Sequence, residues 1–96
     1  MAQFVSLGNW TEQGIRNVKQ TTKRFDAARK LASKHGVTFK DIFYTVGQYD
    51  FVVVLDAPDA ESFSRFALAV AAQGNSRTLT MQAFTVDEMR GIVQKM

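Results

Sequence analysis

Residues 49–55 read Tyr-Asp-Phe-Val-Val-Val-Leu, and the last five are apolar without a break. A strand wetted on one face alternates apolar and polar side chains, whereas a strand covered on both faces does not. The run Phe51–Leu55 therefore predicts a strand with something other than water on each side. Immediately upstream, Gly47-Gln48-Tyr49-Asp50 opens that strand. Glycine admits a tight backbone bend, so these residues read as a hairpin turn. They also set a phenol and a carboxylate at the strand's mouth, where the edge of a binding site is the competing reading.

Downstream, Ala57-Pro58-Asp59 ends the strand, and Asp59 is a good N-cap for a helix over about 60–72. Phe63, Phe66, Ala67 and Val70 share one face of it, and Gly74-Asn75 stops it. Residues 77–84 form a last strand, with Leu79 and Met81 on one side and Thr78, Thr80 and Phe84 on the other. Thr85-Val86-Asp87-Glu88 is a capping box that opens a C-terminal helix, with Met89, Ile92 and Val93 expected to face inward.

Upstream, residues 37–46 are rich in strand formers, among them Phe39, Ile42, Phe43 and Tyr44. A helix over 22–35 places Phe25, Ala28, Leu31, Ala32 and His35 on one face and keeps Lys23, Lys30 and Lys34 largely off it; Gly36 ends it. Phe4–Leu7 is a short strand ending at Gly8-Asn9, and residues 11–17 begin like a helical turn that Gly14 interrupts. The order β-α-β-β-α-β plus a terminal helix is the α+β, ferredoxin-like arrangement: one domain over residues 1–96, with a four-stranded antiparallel sheet. Both helices cover the same face. On the other face the 51–55 strand, joined by Phe4 or Val5, Phe43 and Met81, leaves an apolar surface. A second copy packed sheet against sheet, giving a two-fold homodimer, is the simplest cover.

Composition removes several function classes. There is no Cys among the 96 residues, so disulfides, thiolate metal sites and Cys nucleophiles are excluded, and a reducing cytoplasm is the matching compartment. The N-terminus lacks a basic, apolar secretory leader, and no run reaches membrane-spanning length. The single His, His35, reads as a structural residue at a helix C-terminus, and no metal site or cofactor is expected. Residues 1–40 carry a net +6 and residues 41–96 a net −3. A solvated helix face explains the basic half, and without an RNP-like aromatic pattern nucleic acid is not an expected partner. No G-x-S-x-G elbow, G-x-G-x-x-G or Walker loop is present.

What remains are polar and aromatic residues near strand ends: Trp10, Tyr44, Gln48, Tyr49, Asp50 and Arg77, with Gly47 at the bend. Trp10 and Tyr44 either line a cleft or fill the rim of the core. Asp50 and Arg77, expected on neighbouring or nearby strands, either pair as ions or anchor a ligand.

Val46-Gly47-Gln48-Tyr49-Asp50 resembles the signature of the GYD-domain family of small bacterial and archaeal proteins. The resemblance extends over FVSLGNWTEQGIRNVK, DIFYTVGQYDFVVVLDAPD and GNSRTLTMQAF, while Ser76 is polar where the family more often carries an aliphatic residue. It implies a dimeric α+β-barrel assembly, with further association of dimers, and it implies no established activity. The segment is distantly similar to the ligand-sensing domains of leucine-responsive/AsnC-type regulators, which implies effector binding near Gly47, Tyr49 and Asp50 at a subunit boundary. The leading expectation is a homo-oligomeric small-molecule-binding domain with Tyr49, Asp50, Gly47, Arg77, Tyr44 and Trp10 as candidate ligand residues. The alternatives are a cofactor-free oxygenase or isomerase, with His35, Asp41 or Asp50 as base, and a purely structural assembly protein.

Overall fold

Strand β1 (Ala2–Trp10) lies inside a sheet of order β2-β3-β1-β4, with β2 at Thr38–Tyr44, β3 at Phe51–Ala57 and β4 at Ser76–Ala83. The computed structural model describes residues 1–96. All three pairings are antiparallel, the α+β topology expected from the order of elements. Helix α1 (Glu12–Arg16) and a 3-10 turn at Val18–Gln20 lead into α2 (Thr21–Lys34); α3 (Ala60–Ala71) joins β3 to β4, and α4 (Val86–Gln94) follows the sheet. The molecule is 17 Å thick in its shortest direction, the depth of one sheet under one helical layer.

Strand register sorts the side chains. Phe4, Ser6 and Gly8 of β1 and Val53, Leu55 and Ala57 of β3 are buried, and the residues between them are only half-buried. The buried set meets α2 and α3 through phenylalanines: Phe4 stacks on Phe63 at 4.4 Å between centroids, and Phe39 stacks on Phe25 at 5.4 Å and meets Phe66 edge-on at 5.7 Å. Phe39 and Ile42 are three residues apart and would face opposite sides of a regular strand. A bulge at Lys40, between the pairs Phe39–Leu55 and Asp41–Val54, turns both toward the helices. Lys40 itself lies 3.7 Å from the Asp56 carboxylate.

The opposite face carries Val5, Leu7, Val52, Val54, Phe43, Leu79 and Met81 in adjoining rows. Phe43, Leu79 and Met81 are 59%, 54% and 49% exposed. Of the two β1 residues considered for this face, Val5 occupies it; Phe4 is buried under the helices.

Three expectations change. Strand β1 is longer than Phe4–Leu7, because its pairing with β4 continues to Trp10. Gly14 does not interrupt α1: a Cβ there would stand 1.9 Å from the Asn75 carbonyl oxygen, so glycine is what lets the helix lie against the α3–β4 connection. Thr11 caps that helix, and its hydroxyl also donates to the Gly74 carbonyl at 2.6 Å. Finally, Met89, Ile92 and Val93 do not face inward. They are 45%, 43% and 54% exposed, and α4 buries none of its residues within the chain. Its expected capping box is present, Thr85 N–H donating to the Glu88 carboxylate at 2.7 Å and Glu88 N–H to the Thr85 hydroxyl at 3.1 Å.

Asp59 caps α3 by accepting the Ser62 N–H at 2.8 Å. This bond and further hydrogen bonding to Ser62 hold its carboxyl below the ordinary 3.8. The cap's contribution is therefore complete above the unfolded value and is lost as the pH falls through the lower folded one. Asp59→Asn keeps the acceptor without the titration. Thermal midpoints measured from about pH 5 to pH 2 should decline less steeply in the variant than in the parent.

Candidate functional site

The inward face of β1 tapers from Phe4 through Ser6 to Gly8, and the helices opposite present small residues, Ala28 on α2 and Ala67 and Ala71 on α3. Phenylalanine fills one end of the space between layers, and the small residues leave the other end open as a cavity of about 130 Å³. Its walls are mainly Phe25, Phe39, Ile42, Phe51, Val53 and Phe66. Phe51 lies flat across Gly8, where a Cβ would stand 2.0 Å from the ring, so Gly8 allows Phe51 to form the floor. Deeper in, Ser6 and Thr80 share a hydroxyl–hydroxyl bond of 2.6 Å, which satisfies the one buried polar side chain of β1.

The polar part of the lining comes from the start of α2 and from the chain around Gln73–Ser76, and contains Thr21, Arg24, Gln73, Asn75 and Ser76. Trp10 and Tyr44 stand beside these, their rings 6.4 Å apart and inclined by 23°. Arg24 donates to the carbonyls of Asn17 at 2.8 Å and Gly14 at 3.2 Å, and to the Thr21 hydroxyl at 3.4 Å. Partial burial raises the Tyr44 phenol above its ordinary 10.0, a push that the Arg24 charge opposes and that of Asp26 reinforces. The phenol is therefore a protonated hydrogen-bond donor at neutral pH.

Of the six candidate ligand residues, Trp10 and Tyr44 stand in the cavity wall; Gly47, Tyr49, Asp50 and Arg77 do not. Arg77 pairs with Asn9 on the far face of the sheet. Asp50 and Arg77 flank β1 from opposite sides instead of sitting on neighbouring strands, and no ion pair joins them. The candidate bases His35, Asp41 and Asp50 also lie outside the lining: His35 caps α2, and Asp41 pairs with Val54 on the open face. Sequence reasoning missed Arg24, Gln73, Asn75 and Ser76. The available signal was the taper Phe4-Ser6-Gly8 facing alanine-rich helix positions, which marks a place where a core runs out of volume.

The turn has a definite construction. Thr45 N–H donates to the Asp50 carbonyl at 2.9 Å and the Thr45 hydroxyl donates to the Tyr49 carbonyl, while Gly47 bends the loop at a φ of 155°. Asp50 N–H donates to the Gly8 carbonyl at 2.8 Å, and its carboxylate accepts the Trp10 N–H at 2.9 Å. A side chain thus extends the β1–β3 ladder past its last backbone pair and secures the backbone of Trp10.

A family model described as the GYD domain matches residues 4–93. The chain belongs to the GYD-domain family. A Thermus thermophilus protein named glutamine synthetase and cystathionine beta-lyase binding protein is 29% identical to it over 90 residues, covering 93% of this chain and 95% of the relative. Among solved structures, FFRP-DM1 is similar with a TM-score of 0.57 at 19% identity, covering 88% of this chain and 100% of that one. A hypothetical protein from Pyrococcus horikoshii follows at 0.56 and 17%, covering 88% and 92%. At these identities the structures establish the shared fold. In this GYD domain, the aspartate of the signature is a backbone clamp at the turn, and the cavity lies on the other side of Trp10.

The clamp is testable. Asp50→Ala strands the Trp10 N–H and should cost about 1–2 kcal/mol in urea unfolding, while Asp50→Asn, which keeps an acceptor, should recover more than half of that loss.

Proposed function

We propose that this GYD domain, residues 1–96, is a homodimeric binding module whose occupant is a small molecule held between the helices and the sheet. The observation that carries the reading is the cavity beside Gly8. It is walled by aromatic and aliphatic side chains, has polar groups gathered in one part of its lining, and is filled by no side chain of the chain itself. Ligand sites have that construction, apolar surface for affinity and a few polar groups for orientation. The proposed site lies across the sheet from the open face and takes in Trp10 and Tyr44; Gly47, Tyr49, Asp50 and Arg77 shape or flank it from outside.

Magnitudes set what a dimer needs. Four strands about 4.8 Å apart and seven residues long, at about 3.3 Å each, present a face on the order of 400 Å². A stable interface takes about 800 Å² from each partner. The open sheet alone falls short, and the exposed stripe Met89, Ile92 and Val93 on α4 supplies the missing kind of surface. A second copy meets this need with the same two elements. The exposed α4 stripe favours one other reading, a protein partner, in line with the name of the Thermus relative. A cytoplasmic setting accords with either.

Two measurements test these statements. Titration of the 15N-labelled chain with toluene, a neutral single-ring probe, should shift the amides of Ala28, Phe51, Val53 and Ala67. Ala67→Leu, which fills the cavity, should remove those shifts; an unperturbed wild-type spectrum refutes the site. In sedimentation at micromolar concentration the chain should run at twice its 10.8 kDa mass, and Leu79→Asp should return it to the monomer. A monomeric wild type overturns the dimer and leaves the partner reading.

A further inference from the structure

The cavity's ionisable groups give its ligand a charge. Arg24 is the one cationic side chain in the lining, and no Asp or Glu lines it. The chain's four ion pairs leave Arg24 without a carboxylate partner. Its three hydrogen bonds all go to neutral oxygens, those of Asn17, Gly14 and Thr21. A guanidinium has five N–H donors; Arg24 spends three of them on these oxygens, one from Nη1 and two from Nη2, which leaves its Nε–H and one Nη1–H for a further acceptor. A half-buried Arg24 has therefore been drawn partly out of water without the counter-charge that would offset the cost.

Size and shape restrict the rest of the ligand. The volume of about 130 Å³ is slightly below the roughly 150 Å³ of a cavity that takes benzene, so it has room for one ring and leaves any substituent at the polar end of the lining. Phe25, Phe39, Phe51 and Phe66 line the apolar part, a lining that suits a flat ring. Beside the guanidinium, Tyr44 offers a phenolic proton and Asn75 and Ser76 offer further polar atoms.

Resting on the cavity reading above, we propose that this site binds a single-ring aromatic monocarboxylate, its ring against Phe51 and its carboxylate on Arg24. Phenylacetate and benzoate have the right chemistry. A zwitterionic α-amino acid does not, because its ammonium would enter a lining that already holds a cation and no carboxylate; Asp26, whose charge reaches Tyr44, lies outside that lining. The site thus selects for the acid and against the amino acid built on the same ring.

The test is a calorimetric or NMR titration of the full chain with phenylacetate, its neutral isostere phenylacetamide, and phenylalanine. Phenylacetate should bind at least tenfold more tightly than either of the others. Arg24→Gln should reduce the acid-to-amide ratio to about one, and Arg24→Lys should retain part of it. Because the ratio compares two ligands on the same variant, a general loosening of α1 on losing the Arg24 bonds cancels out of it. Equal binding of acid and amide by the wild type, or a ratio that survives Arg24→Gln, overturns the proposed ligand class while leaving the cavity standing. If toluene, phenylacetate and phenylacetamide all fail to bind the wild type, the cavity reading fails with it.

Discussion

The register of β1 governs the molecule. Paired along both edges, with β3 on one side and β4 on the other, it cannot slip by one residue without sending Phe4, Ser6 and Gly8 to the open face and Val5 and Leu7 under the helices. Each property described above follows from that alternation. Phe4 meets Phe63 because it points inward, the open face is apolar because Val5 and Leu7 point outward, and Phe51 can form the cavity floor because the third inward position is a glycine. The hydrogen bond from Trp10 N–H to the Asp50 carboxylate secures the register at the end where the cavity lies.

The two ends of the core do different jobs. At the Phe4 end, the stacked rings of Phe4 and Phe63 fill the space between sheet and helices. At the Gly8 end the glycine makes room for the Phe51 ring, and the small helix residues opposite leave the space above it unfilled. Phe51 is half-buried at this end, across a glycine, where its ring can serve as the floor of a site as well as part of a core. Filled core and open cavity are thus laid out along a single strand, in the order Phe4, Ser6, Gly8.

The fold was largely readable from the chain. The unbroken run Phe51–Leu55, the caps at Asp59 and Thr85, and the stops at Gly36 and Gly74 are local signals, and each appears where expected within a residue or two. The site was less readable, for physical reasons. Arg24 lies on a helix rich in basic residues, and nothing local separates the one guanidinium turned toward the cavity from its solvated neighbours. Asp50 and Tyr49 drew attention as a polar pair, yet the Asp50 carboxylate is engaged by a main-chain N–H from a strand forty residues away. Gly14 looked like a helix breaker because its reason for being glycine, the Asn75 carbonyl, is sixty residues distant. The α4 stripe was assigned an inward face on periodicity alone, and periodicity states that a face is apolar without saying which surface covers it.

The bulge at Lys40 has a bearing on how sheets of this kind can grow. Strands β2 and β4 are the two borders of the sheet, and only β2 is interrupted; β4 pairs regularly from Ser76 to Ala83. A kinked border is a poor template for another strand, whereas a regular one accepts a neighbour readily. Of the two borders, β4 is therefore the one whose edge is regular enough to accept a further strand.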